Sequence, residues 1–571
     1  TASVCQSDTL RLADYRRTTV FEQREGEALQ KSFMTLAKAI ASQTGGICPK
    51  PLADADMDNL GETLYQLEKE DRHGQPGMGD EALSRLLFQT EGVRVLAVGP
   101  PACLRILYFR AMEKEALSRL RLCPVSRLEY TLGSYAPRVR GMIEELVMTS
   151  GTKGVVLYVS CPDLLTQTDF EALISEADNP HHVPVAVFRR GPMEKRKRKP
   201  VERLEEILQS FETARENHWV GKDARLCPPP PLAADYTGAM TAFEKDRALC
   251  TCLVTGSGCA SCPKSIDNFS GKTFWYSKMN DLQVTLGAAE SIEKGIGAVM
   301  QEEKRQSAFI AGTPLTAMTG LDDSSFPVLK KKIFIQTDGF QDALDGTRQA
   351  LSSVSRQEMR RCEYTEKRIN LVGYTPFLFG NQRQFETIAH DLERLGYAVY
   401  WLGGGTLADF KDAPKAKANW VISEAGLELA KWMEKQYGTP WFYQMPVSVS
   451  GVRTAYQYLE SITGDTAFQG ITEDPAPLEQ PVRNAVMIGS HELNRQVSVV
   501  LRNEFNVECT IAETYSFGWP LDKEVDYVIG DPLYFQYLPE GAAVRVPLPF
   551  PALSGNRYVK RDYCIIGRKG H

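Results

Sequence analysis

Three landmarks recur in this chain at nearly constant offset, which constrains it to contain one α/β unit twice. Cys103 recurs as Cys259, Thr131-Leu132-Gly133 as Thr285-Leu286-Gly287, and Cys161-Pro162 as Thr313-Pro314. The offsets are 156, 154 and 152 residues, the drift expected when the loops of a duplicated unit change length independently. Such a chain folds as a tandem of related cores, and its chemistry is to be sought where the cysteines of the copies fall.

At 571 residues the chain exceeds what one hydrophobic core organises, and roughly three to five domains are expected. Hydrophobic content of 43% and charged content of 24% are those of a globular protein. A net charge of -6 gives no electrostatic reason to expect nucleic acid or an anionic membrane as partner. No apolar run reaches the roughly 18 to 20 residues that span a bilayer. Thr1 to Leu10 lacks the basic and apolar segments of an export signal, so a cytoplasmic location is expected. Thirteen cysteines, several of them in turns after strands, suit thiolate ligation better than a disulfide framework.

Leu29, Phe33, Leu36 and Ile40 share one helix face, so residues 1–44 read as a helical arm. From Val93 onward short β-branched runs alternate with amphipathic helices, the pattern of parallel α/β units with helices on both faces. The expected class is α/β, with several Rossmann-like parallel-sheet domains behind the arm. The first copy spans 45–226, with strands at Val93–Val98, Val155–Val159 and Val185–Phe188 and a closing helix from Val201. The run Pro228–Pro231 cannot continue that helix, and the second copy spans 227–360, with strands at Leu253–Thr255, Phe309–Ala311 and Ile333–Ile335. A third α/β domain over 361–480 opens at Ile369–Gly373 and carries a helix over Gln382–Leu395. A fourth, over 481–571, opens at Ala485–Gly489.

Thiolates at the C-terminal ends of parallel strands line the crevice where such sheets bind ligands, and soft sulfur donors there favour an iron–sulfur cluster or zinc. Cys103 and Cys161 sit at two such ends. Cys48 is a third candidate, because Cys48-Pro49-Lys50-Pro51-Leu52-Ala53 is echoed by Cys227-Pro228-Pro229-Pro230-Pro231-Leu232-Ala233. Cys250, Cys252, Cys259 and Cys262 are spaced C-x-C-x6-C-x2-C and form a further candidate set, in which four thiolates suit zinc as well as a cluster. Buried structural thiols are the alternative for each. Three other features carry a bland reading beside a functional one: Gly403-Gly404-Gly405-Thr406 as a phosphate cradle or a plain turn, His491 as an acid or ligand or a helix-start residue, and Lys195–Lys199 as a docking patch or a solvated loop.

These residues resemble the nitrogenase component 1 superfamily, which includes nitrogenase, dark-operative protochlorophyllide reductase and cofactor-assembly scaffolds. Gly99-Pro100-Pro101-Ala102-Cys103 is similar to the family's Gly-Pro turn with a cluster cysteine, Ser160-Cys161-Pro162-Asp163 to its Cys-Pro turn, and Cys48 to the earliest cluster ligand. Gly258-Cys259, Thr313-Pro314, Gly320, Asp322 and Asp338-Gly339-Phe340 match the same pattern in the second copy, with Thr313 where the last cysteine would stand. Trp432–Tyr437 with Gly438-Thr439-Pro440-Trp441, and Asn484–Gly489, are similar to the starts of the later domains.

The resemblance implies an iron–sulfur cluster, 4Fe-4S or larger, held by Cys48, Cys103 and Cys161 from one side and Cys227 and Cys259 from the other, the copies pairing about a pseudo-twofold axis. Pairing with a related subunit or a second chain is the alternative. Zinc at Cys250, Cys252 and Cys262 is the alternative metal. The cysteine and histidine that hold nitrogenase's large cofactor have no match here: their places fall near Val421-Ile422-Ser423 and Pro547-Leu548-Pro549-Phe550. The implied function is the redox subunit of a two-component reductase, served by an ATP-dependent iron–sulfur reductase protein. A non-catalytic scaffold for metallocluster assembly is the second hypothesis.

Overall fold

The computed structural model describes residues 78–571 except 190–198, 213–220, 257–258, 270–273, 278, 280–283, 285–286, 363–364, 469–481, 513–524, 539–542, 560–564 and 567–571. The expected helical arm, Cys48 and most of the basic run Lys195–Lys199 lie outside the described residues.

Four parallel sheets of four strands follow one another along the chain. The first holds β1 (Val93–Gly99), β2 (Leu120–Pro124), β3 (Gly154–Val159) and β4 (Val185–Arg189). The second holds β5 (Leu249–Leu253), β6 (Trp275–Tyr276), β7 (Ser307–Ala311) and β8 (Lys332–Ile335). The third holds β9 (Arg368–Val372), β10 (Ala398–Leu402), β11 (Ala418–Val421) and β12 (Trp441–Tyr443), and the fourth β13 (Arg483–Ile488), β14 (Val507–Ala512), β15 (Tyr527–Gly530) and β16 (Val544–Pro547). In every sheet the first strand lies between the second and the third, with the fourth outermost.

The chemistry of the strands explains the class. β1 reads Val-Arg-Val-Leu-Ala-Val-Gly and is buried at all seven positions, and β3 is buried at all six. Strands covered on both faces need apolar side chains on both, which yields continuous runs rather than alternation. Because strand order reverses in each sheet between the first and third strands, a crevice opens at their C-terminal ends.

Two expected elements differ. The strand expected at Leu253–Thr255 is β5, Leu249–Leu253, buried throughout. Cys250 and Cys252 therefore lie inside a sheet rather than in a turn. The helix expected over 382–395 divides into a 3-10 turn, Gln382–Phe385, and an α-helix, Glu386–Arg394.

The sheets are not isolated. One continuous core joins Val95 and Val156 of the first sheet to Ile369 and Trp420 of the third and Met487 and Val528 of the fourth. A second core joins Phe309 and Ile333 of the second sheet to Val372 and Val421 of the third. Helices Asp235–Thr241 and Ala343–Glu358 pack backbone against backbone: a Cβ on Gly238 would collide with the Ala343 carbonyl, and one on Gly346 with the Asp235 carbonyl. Among the described residues no helix is long and apolar enough to cross a membrane.

Candidate functional site

β1 ends at Gly99, where φ is 155° and a Cβ would lie 2.7 Å from the Ser160 hydroxyl, so only glycine lets the two strand ends approach. Pro101 opens helix Pro101–Glu113, at a position where no amide hydrogen is needed. Cys103 follows in its first turn, half-buried, with its N–H donating to the Pro100 carbonyl at 2.9 Å. β3 ends at Val159, and the next residue, Ser160, caps helix Cys161–Leu165 in a reciprocal box with Asp163: the Ser160 N–H and hydroxyl donate to that carboxylate at 2.9 and 2.6 Å. Cys161 is thereby the first helical residue, beside the turn of Cys103.

The Asp163 carboxylate also accepts the hydroxyls of Tyr130 at 3.0 Å and Tyr135 at 3.2 Å. Burial pushes its pKa up to about 6, and the hydrogen bonds pull the other way.

In the second copy β5 is followed by Cys259 and helix Ser261–Ser265, and β7 by helix Pro314–Met318. Two helix pairs meet across the junction of the first and second sheets. Helix Pro101–Glu113 packs on Ser261–Ser265, and Cys161–Leu165 packs on Pro314–Met318. Asp338, Gly339 and Phe340 close the junction: the Gly339 carbonyl accepts from the Ala102 N–H at 3.4 Å, Arg127 pairs with Asp338, and the Arg127 guanidinium lies over the Phe340 ring.

Two thiols come together there, with a third near enough to be felt electrostatically. Cys103 and Cys259 are hydrogen-bond partners, and Cys161 acts on Cys103 electrostatically. That hydrogen bond, then burial, then the negative charge of Cys259, Cys161 and Asp163 hold the Cys103 thiol well above the ordinary range. Ala102, Ala234, Tyr236, Met240, Leu253, Ala260 and Ala311 form an apolar cluster at the junction, and the Tyr236 hydroxyl donates to the Cys259 carbonyl at 3.4 Å. Soft sulfur donors beside an apolar shell suit an iron–sulfur centre, which would bind the deprotonated Cys103 and displace its proton.

The other expected ligands are placed elsewhere. Cys227 is fully buried in the large core, its N–H on the Leu117 carbonyl at 2.9 Å and its carbonyl accepting from Tyr537 at 2.8 Å. Burial pushes its thiol up to about 12, and the groups acting against that are Arg121 and the Leu122 backbone. Cys252 packs on Ile292 and Ile296, and Cys250 on Val299. Cys262 lies instead near Asp267, Arg105, Arg110 and Cys259. The tight spacing C-x-C-x6-C-x2-C thus splits between a strand interior and a helix, because β5 begins earlier than expected. Among the described residues no three His, Cys, Asp or Glu side chains are arranged to hold a single metal ion.

Thr313 is a helix cap. Its hydroxyl donates to the Val254 carbonyl at 3.0 Å, and it boxes with Thr316 as Ser160 does with Asp163. The cap sets the correspondence one residue away from the Cys-Pro/Thr-Pro match: Thr313 is the counterpart of Ser160, and Pro314 that of Cys161. Either way the second copy offers no thiol at this strand end.

Beside the junction lies a cavity of about 890 Å³, at the upper end of small-molecule sites. Pro228–Leu232 form one wall, and Gly489–Glu492, Tyr534, Phe550 and Leu553 another. A neighbouring cavity of about 690 Å³ shares Pro228–Leu232, Asp342 and Asp345 with it and reaches Pro101, in the turn of Cys103. His491 is the one histidine among the lining residues, which include no cysteine. Ser423 donates to the Gly373 carbonyl at 2.5 Å and is buried. Gly403–Thr406 is a plain turn: the Gly404 N–H donates to the Ala242 carbonyl at 2.6 Å, and Asp246 accepts the Leu407 N–H at 2.8 Å, where a phosphate would have to bind.

Asp163, Tyr236, Arg105 and Asp267 surround the thiols and were not singled out from sequence. For Asp163 a signal existed, since Ser160-Cys161-Pro162-Asp163 is a capping-box pattern. The others depend on contacts between distant segments.

The chain is similar to known proteins in sequence and in fold. The sequence profile of the nitrogenase component 1 type oxidoreductases matches residues 234–501. One polypeptide of the light-independent protochlorophyllide reductase of Chlorobium chlorochromatii (strain CaD3) is 24% identical over 187 residues, 32% of this chain and 32% of that protein. The match thus spans about a third of that relative's length. Two solved structures of nitrogenase Cp1 are similar. The one at pH 6.5 has a TM-score of 0.48 and 14% identity over 61% of this chain and 91% of that one; the one at pH 5 has 0.41 and 15% over 55% and 66%.

Proposed function

Because the chain belongs to the nitrogenase component 1 superfamily, we propose that it is the iron–sulfur redox subunit of a two-component reductase, receiving electrons from an ATP-dependent iron–sulfur reductase protein. The observation that carries this reading is the closeness of the Cys103 and Cys259 thiols, with Cys161 near enough to act on Cys103 electrostatically. Cys103, Cys161 and Cys259 would hold the cluster, with Cys48 as a candidate further ligand. A cluster bound there would take up and release single electrons at a potential tuned by charge, hydrogen bonds and burial.

The chain's own contribution is positional. Strand ends and capped helices aim the thiols, Arg105 and Arg110 place positive charge beside Cys262, and the apolar cluster around Tyr236 borders the half-buried thiols. The cavity that reaches Pro101 is the place for a substrate, since it brings a molecule to within two residues of Cys103 along the chain.

The test is anaerobic purification followed by iron and acid-labile sulfide analysis and electron paramagnetic resonance. Iron and sulfide in cluster proportion, with turnover dependent on reductant and on the partner protein, support the reading. Zinc without sulfide overturns it. Transfer of the cluster to an acceptor without turnover would make the chain an assembly scaffold instead.

A further inference from the structure

We infer that Arg105 is a positioning residue that fastens both walls of the large cavity to the helix carrying Cys103, so that loading the thiols stiffens the cavity. Arg105 lies two residues after Cys103 and is 1% exposed. Its Nε and one terminal nitrogen grip the Asp267 carboxylate at 3.2 and 2.8 Å. Its other terminal nitrogen donates to the carbonyls of Pro231 at 2.8 Å and Leu553 at 2.7 Å.

Those four contacts join four parts of the molecule. Arg105 belongs to the first copy, Asp267 follows helix Ser261–Ser265 of the second copy, Pro231 belongs to the proline run, and Leu553 to helix Pro551–Ser554 behind the fourth sheet. Pro231 and Leu553 both line the large cavity. The Ala233 N–H donates to the Ala552 carbonyl at 2.7 Å, which keeps the two walls in register. Only a planar guanidinium can serve the carboxylate and both carbonyls at once; a lysine ammonium lacks the fork. A buried charge of this kind is costly unless every partner is present, so the geometry is enforced rather than optional. The iron arm of this inference rests on the reading proposed above, whereas the mechanical arm does not.

The test is hydrogen exchange by mass spectrometry on the full chain. In the metal-free protein, Arg105→Lys is expected to speed exchange in peptides covering 228–234 and 550–555 by about tenfold, the factor that loss of one charge-assisted hydrogen bond implies. Should that variant fail to fold, the double change Arg105→Leu with Asp267→Leu removes the buried charges together and is expected to give the same local acceleration. In wild type, iron loading is expected to slow exchange in both peptides, and in Arg105→Lys it is expected to leave them unchanged. Unaltered protection in the variants overturns the fastening. Equal exchange in loaded and metal-free wild type overturns the coupling. Failure to take up iron counts against the proposed function, and the metal-free comparison still decides the role of Arg105.

Discussion

Cys103, in the first turn of helix Pro101–Glu113, lies within hydrogen-bond reach of Cys259, which precedes helix Ser261–Ser265. Hydrogen-bonded thiols without metal are one oxidation step from a disulfide. Treating the metal-free chain with diamide is expected to link these two residues, as read by peptide mapping, and iron loading is expected to protect them. Linkage that ignores iron would show that the metal sits elsewhere.

Serine substitution separates the thiols that meet from those that do not. Cys103→Ser and Cys259→Ser are expected to lose most iron and sulfide. Cys227→Ser is expected to keep both while losing about 1–2 kcal/mol of stability, because a hydroxyl replaces a buried thiol in the core. Iron analysis and urea unfolding check the two outcomes. Loss of iron in Cys227→Ser would restore that residue to the ligand set.

Gly346 has no space for a methyl group, since its Cβ would collide with the Asp235 backbone. Gly346→Ala should cost about 1–3 kcal/mol by overpacking the contact between helices Asp235–Thr241 and Ala343–Glu358. A lowered urea midpoint with an unchanged slope is the signature. An unchanged midpoint would mean that these helices can separate freely.

Glu492 lines the cavity and accepts the Glu424 N–H at 2.6 Å and the Tyr443 hydroxyl at 3.0 Å. Burial, with the negative charge of Glu424 adding to it, pushes its carboxyl up to about 7. The folded state therefore holds this proton more tightly than the unfolded chain does. Its contribution to stability is complete below the ordinary carboxylate range and is lost as pH rises through about 7. Glu492→Gln retains an oxygen for both donors, so it should flatten this slope and be more stable than wild type at pH 8 by on the order of 1–3 kcal/mol. Urea midpoints at pH 5 and pH 8 measure it, and parallel slopes would contradict it.

Much of the site was legible because its parts are local. A β-branched run, then Gly99-Pro100-Pro101, then Cys103 specifies a thiol at a strand end within a few residues, and Ser160–Asp163 does the same for Cys161. Close spacing alone was a weaker guide at β5, where Cys250 and Cys252 lie within the buried strand Leu-Cys-Thr-Cys-Leu, apart from Cys262. Likewise the echo of Cys48-Pro49 in Cys227-Pro228 matched residues without saying what Cys227 packs against.

By itself, the sequence determined the α/β class and the presence of thiols after strand ends, since side-chain periodicity and turn chemistry act between near neighbours. Tertiary structure alone decided that Cys259 joins Cys103 while Cys227, Cys250 and Cys252 go to the core, and that Arg105 finds Asp267, Pro231 and Leu553. Those choices are set by which surfaces pack when four sheets assemble, and close packing is a property of the whole chain rather than of any one segment.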